Sequence, residues 1–260
     1  MSEALALYEI KDKVAIVTIN HPPVNALDLA TKEAIADVFR DLDQRRSEIR
    51  VAILKGSGEK AFAAGADIKA FLGYDPEIGK RALTQSHRCF AVVENFVWPV
   101  IAAIHGFCLG GGLELALCCD IRYAAESAKL GFPEVNLSIF PGNGGTKRAL
   151  YLLPLGKIKE LTFTGAMIEA KEALELGLVE KVVPDGQIVD AALELAHKIM
   201  EKGPLGVAAA KKALNRTRDM ALEQALDLES DIWSTLAATE DMKEGATAFL
   251  EKRKPDYRCK

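Results

Sequence analysis

Three short apolar runs limit what this chain can fold into. Residues Val14–Ile19 read Val-Ala-Ile-Val-Thr-Ile, residues 51–54 read Val-Ala-Ile-Leu, and Val100–Ile104 read Val-Ile-Ala-Ala-Ile. Each is rich in β-branched residues and too short for a buried helix, which marks a strand. Pro22 and Pro23 close the first, Gly56-Ser-Gly58 closes the second, and Pro99 opens the third. Between the first two, Ile35, Val38, Phe39 and Leu42 recur at helical spacing with charges among them. Asp28 precedes that pattern and suits an N-cap. A second helix is expected over 79–95, a third over 113–117, and another short strand over 120–124. Strands alternating with helices predict an α/β fold through the first two thirds.

The last third changes character somewhere between Pro184 and Gly203. Ile188, Ala192, Leu195 and Ile199 form one amphipathic stripe. Further helices are expected after Gly203-Pro204, over 222–236 and over 242–250. The expected division is therefore a core over 1–195 and a helical region over 196–260.

Composition excludes several function classes. The chain has 260 residues, 49% of them hydrophobic and 27% charged, enough for a sizeable core. A formal charge of −4 argues against a nucleic-acid or anionic-membrane partner. No apolar run reaches the roughly 18 residues of a membrane span. The N-terminus lacks a basic start followed by an apolar stretch, so a cytoplasmic location is expected. The five cysteines are odd in number and contain no Cys-x-x-Cys, which suits a reducing compartment. The four histidines form no zinc-binding spacing, and no metal is expected.

Two glycine clusters carry the chemistry. Neither Gly106–Gly112 nor Gly142-Asn-Gly144-Gly145 completes a nucleotide-phosphate motif, and no Gly-x-Ser-x-Gly elbow occurs. Gly110 to Gly112 stands between a predicted strand and a predicted helix. Unpaired N–H groups at such a junction can hold a developing oxyanion. Glu114 follows in an otherwise apolar segment, and Glu134 lies in a second mostly apolar stretch, Leu130-Gly-Phe-Pro-Glu-Val-Asn-Leu137. A glutamate is rarely buried unless it is paired. Spacing alone does not bring the two together.

Taken in order, these segments resemble the crotonase (enoyl-CoA hydratase/isomerase) family. Ala61-Phe-Ala-Ala-Gly-Ala-Asp-Ile-Lys69 is similar to its first oxyanion loop. His105-Gly-Phe-Cys-Leu-Gly-Gly-Gly-Leu-Glu-Leu-Ala116 is similar to its second. Phe132-Pro-Glu134 and Phe140-Pro-Gly-Asn-Gly-Gly-Thr-Lys-Arg148 are similar to its third catalytic segment. Residues 170–179 and 249–254 resemble its later signatures. The resemblance implies repeated ββα turns forming a spiral, with C-terminal helices that build trimers or hexamers. It implies an acyl-CoA thioester substrate, with CoA as part of the substrate and no separate cofactor. Ala66 and Gly111 then occupy the oxyanion positions, and Glu114 and Glu134 the catalytic carboxylate positions. Gly142 matches an N–H that helps hold water. The loop from Ala64 through Asp67 and Ile68 to Lys69 would line the adenine and pantetheine path.

The implied reaction is hydration of a 2-trans-enoyl-CoA. One ionised glutamate takes a proton from water, and one protonated glutamate supplies the α-proton. The resemblance leaves open which does which. Relatives that only isomerise retain a carboxylate at the position of Glu134 alone. The alternatives are an isomerase, a hydratase for cyclic or branched acyl groups, or a noncatalytic RNA-binding relative. Cys108 stands where alanine is common and reads as a small buried hydrophobe. Phe71, Leu72, Phe90, Phe96 and Trp98 read chiefly as core.

Overall fold

The computed structural model describes residues 4–65 and 68–260. The chain begins with β1 (Ala6–Lys11), β2 (Val14–Ile19) and α1 (Leu29–Gln44). Next come β3 (Val51–Gly56), β4 (Ala61–Ala64), α2 (Ile68–Phe71) and α3 (Pro76–Glu94). A second turn holds β5 (Val100–Ile104), β6 (Phe107–Leu109) and α4 (Gly111–Ala116). A third holds β7 (Ile121–Ala125), β8 (Lys129–Gly131), α5 (Gly145–Arg148) and α6 (Leu155–Thr164). The chain continues through β9 (Met167–Glu169), α7 (Ala170–Glu175), β10 (Lys181–Val183) and α8 (Ile188–Met200). It ends with α9 (Pro204–Thr217), α10 (Leu222–Ala237) and α11 (Glu240–Leu250).

Each turn adds one strand to each of two sheets. The first sheet runs β1-β2-β3-β5-β7-β10, parallel except for the β1–β2 hairpin. The second runs β4-β6-β8-β9, with β4, β6 and β8 parallel and β9 antiparallel.

Burial on both faces explains why the first-sheet strands read as continuous apolar runs. Ala52 and Leu54 of β3 face the main core with Phe39, Phe90 and Trp98. Val51 and Ile53 face the other way, against Ile188, Ala192 and Ala196 of α8. The helix over 29–44 starts at Asp28, whose Oδ1 accepts the Thr31 N–H at 2.7 Å, a cap worth about 1 kcal/mol. Phe39 of α1 meets Phe96 edge-on with ring centroids 5.2 Å apart.

The expected change of character at residue 195 falls inside α8, which packs on the first sheet. Three helices follow it. Lys211 of α9 reaches back to Asp120 at 2.7 Å and to the Trp98 carbonyl at 3.0 Å, anchoring α9 to the spiral. The last two helices leave Leu222, Trp233, Phe249 and Leu250 largely exposed. Among the described residues, no helix is long and apolar enough to cross a membrane.

Candidate active site

The carboxyl ends of β4, β6 and β8 lie side by side. Ala64 pairs with Leu109, and Leu109 with Gly131, so the chain leaves all three strands at one edge. The exits are Gly65, then Gly110-Gly111, then Phe132-Pro133-Glu134, at successive strand spacings of about 4.8 Å. Gly110 has φ +55°, and a Cβ there would lie 2.9 Å from Glu134 Oε1. Only glycine meets both conditions. Two residues on, a Cβ on Gly112 would fall 1.9 Å from the Ala63 carbonyl oxygen. Glycine therefore lets the start of α4 rest directly on β4.

Gly111 opens α4, so its N–H has no acceptor within the helix. Glu114 lies one turn in and is completely buried. Its Oε1 accepts the backbone N–H groups of Asn143 at 2.7 Å and Gly145 at 2.8 Å. Its Oε2 accepts Asn143 Nδ2 at 2.9 Å. Three N–H donors are what make a buried carboxylate tolerable without a cation in contact. The 142–145 loop is braced from behind. Arg148 donates to the Asn143 carbonyl at 2.9 Å and pairs with Glu94 at 2.7 Å.

Glu134 faces a different environment. It sits in a 3₁₀ turn over Pro133–Leu137 and is half-buried. Its Oε2 is shielded from solvent and has no hydrogen-bond partner among the described residues. Burial, opposed by a backbone hydrogen bond and reinforced by the charge of Glu114, pushes its pKa up to about 7. The two carboxylates thus stand within electrostatic reach, the arrangement in which one proton is readily held between two acids.

A cavity of about 690 Å³ opens beside Glu134. Gly111, Gly142, Ile68 and Glu134, four of the residues singled out from the sequence, line it. Glu114 lies beneath, screened by Asn143, which does line it. Ala64 ends β4 and Lys69 belongs to α2, and neither is part of the lining. Ala66 and Asp67 lie outside the described residues. Phe71 lines the cavity, Leu72 is 91% exposed, and Phe90, Phe96 and Trp98 belong to the core. Cys108 is fully buried, and burial pushes its thiol pKa far up.

Several lining residues were missed from the sequence, among them Asn143 and Lys32. Asn143 lay inside a quoted glycine cluster, but nothing there showed that both its N–H groups turn to Glu114. Lys32 precedes the periodic run that begins at Ile35 and was not singled out. Its place four residues after the cap was the only signal.

A family model described as enoyl-CoA hydratase/isomerase matches residues 9–260. The short-chain-enoyl-CoA hydratase of Clostridium acetobutylicum is 42% identical over 249 residues, 95% of each chain. The crotonyl-CoA hydratase of Syntrophomonas wolfei is 40% identical over 96% of each chain. The crystal structure of an enoyl-CoA hydratase from Bacillus anthracis superposes with a TM-score of 0.92 at 40% identity, covering 98% of this chain and 100% of that one.

Proposed function

The chain belongs to the enoyl-CoA hydratase/isomerase family, and from that premise we propose that it adds water to a 2-trans-enoyl-CoA, giving the 3-hydroxyacyl-CoA. The observation that carries this reading is the pair of carboxylates in unlike surroundings. Glu134 has a pKa raised to about 7 by burial and holds a proton near neutrality. Glu114 is gripped by three N–H donors that all suit a carboxylate. An isomerisation needs one such group, whereas adding water needs a base for the water and an acid for the α-carbon.

In this mechanism the thioester carbonyl lies against the Gly111 N–H, with the expected second donor at Ala66. Negative charge grows on that oxygen as water attacks the β-carbon. Each preorganised donor is worth about 3–4 kcal/mol of barrier. Glu114 takes the proton from the attacking water. Glu134 delivers its proton to the α-carbon, and the enolate collapses to the saturated thioester. The water oxygen ends on the β-carbon. Proton transfers of this kind contribute about 10²–10⁴-fold each. Such a step belongs to fatty-acid or related acyl-CoA degradation.

The test is loss of the conjugated enoyl-thioester absorbance with crotonyl-CoA, with mass detection of the product. A gain of one water supports hydration. A shifted double bond with no mass gain, from a 3-enoyl substrate, would replace the reading by isomerisation. The apolar residues left open on α10 and α11 support assembly into trimers or hexamers. A monodisperse monomer in light scattering would refute that.

A further inference from the structure

Among the described residues, one lysine lines the cavity beside Glu134. Lys32 projects from α1 into the wall that also holds Leu27, Ala82, Leu83 and Ser86. Its ammonium donates to Ser86 Oγ of α3 at 2.9 Å and lies 5.9 Å from the centroid of the Phe90 ring. Burial pulls its pKa down, and Glu114 is the main charge opposing that shift. Among the described residues no carboxylate forms an ion pair with it.

This is an incomplete environment for a cation. Of three N–H donors, one has a protein acceptor, and that acceptor is a neutral hydroxyl. Ser86 in turn accepts from Lys32 and has no acceptor for its own O–H among the described residues. Lys32 and Ser86 therefore bring two donors to a stretch of the cavity wall that they share with Leu27, Ala82 and Leu83. A purely apolar acyl chain would bury the ammonium further with only the Ser86 hydroxyl in contact and Glu114 acting at a distance, which is costly. A carboxylate would accept from both donors and supply the missing counter-charge.

We propose that Lys32, with Ser86, makes this cavity selective for enoyl thioesters whose acyl group carries a second, ionised carboxylate. The inference rests on the hydratase reading of the same site. Lys32 is a specificity residue here and takes no part in moving protons. It shares the cavity with Glu134, and Glu114 is the main charge acting on it; the proposal sets the acyl group against it.

The experiment compares 2-hexenedioyl-CoA with 2-hexenoyl-CoA, which differ only in the terminal carboxylate, for the wild type, Lys32→Met and Lys32→Arg. The wild type should favour the dicarboxylate in kcat/KM. In Lys32→Met the ratio should fall by about 30-fold or more, as expected for removing one partner of a desolvated charge pair. Lys32→Arg should retain the preference. Titration calorimetry with the saturated thioesters adipyl-CoA and hexanoyl-CoA gives the same comparison without turnover. Carboxylate-selective, Lys32-dependent binding alongside no hydration would retain this inference and reject the hydratase reading. Hydration of hexenoyl-CoA with an unchanged ratio in Lys32→Met would reject this inference alone. Equal weakening of both substrates would assign Lys32 to the shared CoA moiety and overturn it.

Discussion

The two walls of the site are built in opposite ways. Around Glu114 everything is closed. α4 rests on β4 through Gly112, the 142–145 loop donates three N–H groups to one carboxylate, and Arg148 braces that loop from behind. Around Glu134 the wall is open. The carboxylate sits in a 3₁₀ turn with one oxygen unpaired, and Ile68, Leu137, Ile139 and Phe140 are exposed beside it. The contrast puts two carboxyl groups of one site in unlike surroundings. Three N–H donors hold the first, and burial raises the pKa of the second.

The largest expected effect removes chemistry from both walls alike. Glu114→Gln and Glu134→Gln should each lower kcat by about 10²–10⁴-fold while circular dichroism stays that of the wild type. Near-normal turnover by either variant would break the proposed division of roles.

A somewhat smaller effect should separate the walls. Glu114→Ala strands the buried Gly145 N–H and the two part-buried N–H donors of Asn143, a fully stranded one costing about 1–3 kcal/mol. It should lower unfolding stability by roughly 3 kcal/mol or more, whereas Glu134→Ala should cost under about 1 kcal/mol. Equal losses in urea unfolding would mean that the open wall is as tightly built as the closed one.

Titration sharpens the comparison further. Because folding raises the Glu134 pKa to about 7, the native state binds its proton more tightly than the unfolded chain does. Stability contributed by this group is therefore present below the ordinary carboxyl pKa and is lost as pH rises towards 7. Glu134→Gln escapes that loss. At pH 8 it should be more stable than wild type by on the order of 1–2 kcal/mol, discounted for partial exposure, and at pH 4.5 nearly equal to it. Hydration should also slow as pH rises through about 7, where the proton donor ionises. A flat rate from pH 6 to 9 would remove Glu134 as the donor. The smallest effect belongs to the rim: Leu72→Ser, at a residue 91% exposed, should change stability by less than about 0.5 kcal/mol.

The same division governs what could be read from the sequence. Four strands of the first sheet, β2, β3, β5 and β7, were legible as short apolar runs and the covering helices as amphipathic ones, whereas the half-exposed β1 and the three-residue β10 were not. Val14–Ile19 and Val100–Ile104 match the observed strands. The second sheet was not legible. Its strands are three or four residues long. They are built partly from alanine and glycine, and β4 shifts register between Ala61 and Ala63. So short a run carries no period. Yet that sheet positions the site. Glu114 and Glu134 were found through motif order, since no spacing rule joins residues on different turns of a spiral. Asn143 and Lys32 escaped because a side chain's direction depends on packing, which local pattern does not record.

The three exits at Gly65, Gly110 and Phe132 act as graduations on a ruler. Their separation is counted in strand spacings and is independent of how much chain is spent between them. Residues 65–99 make a long excursion before the next strand of the first sheet, and residues 110–120 a short one. Both return to neighbouring rungs. Length can therefore be added to an outer loop, reshaping the room available to an acyl group, while the reacting groups keep their places. Losing one residue from β6 would slide its exit by about 3.3 Å and turn its side chains to the opposite face. In such a scaffold the substrate range can drift by insertion, and the chemistry changes only by substitution.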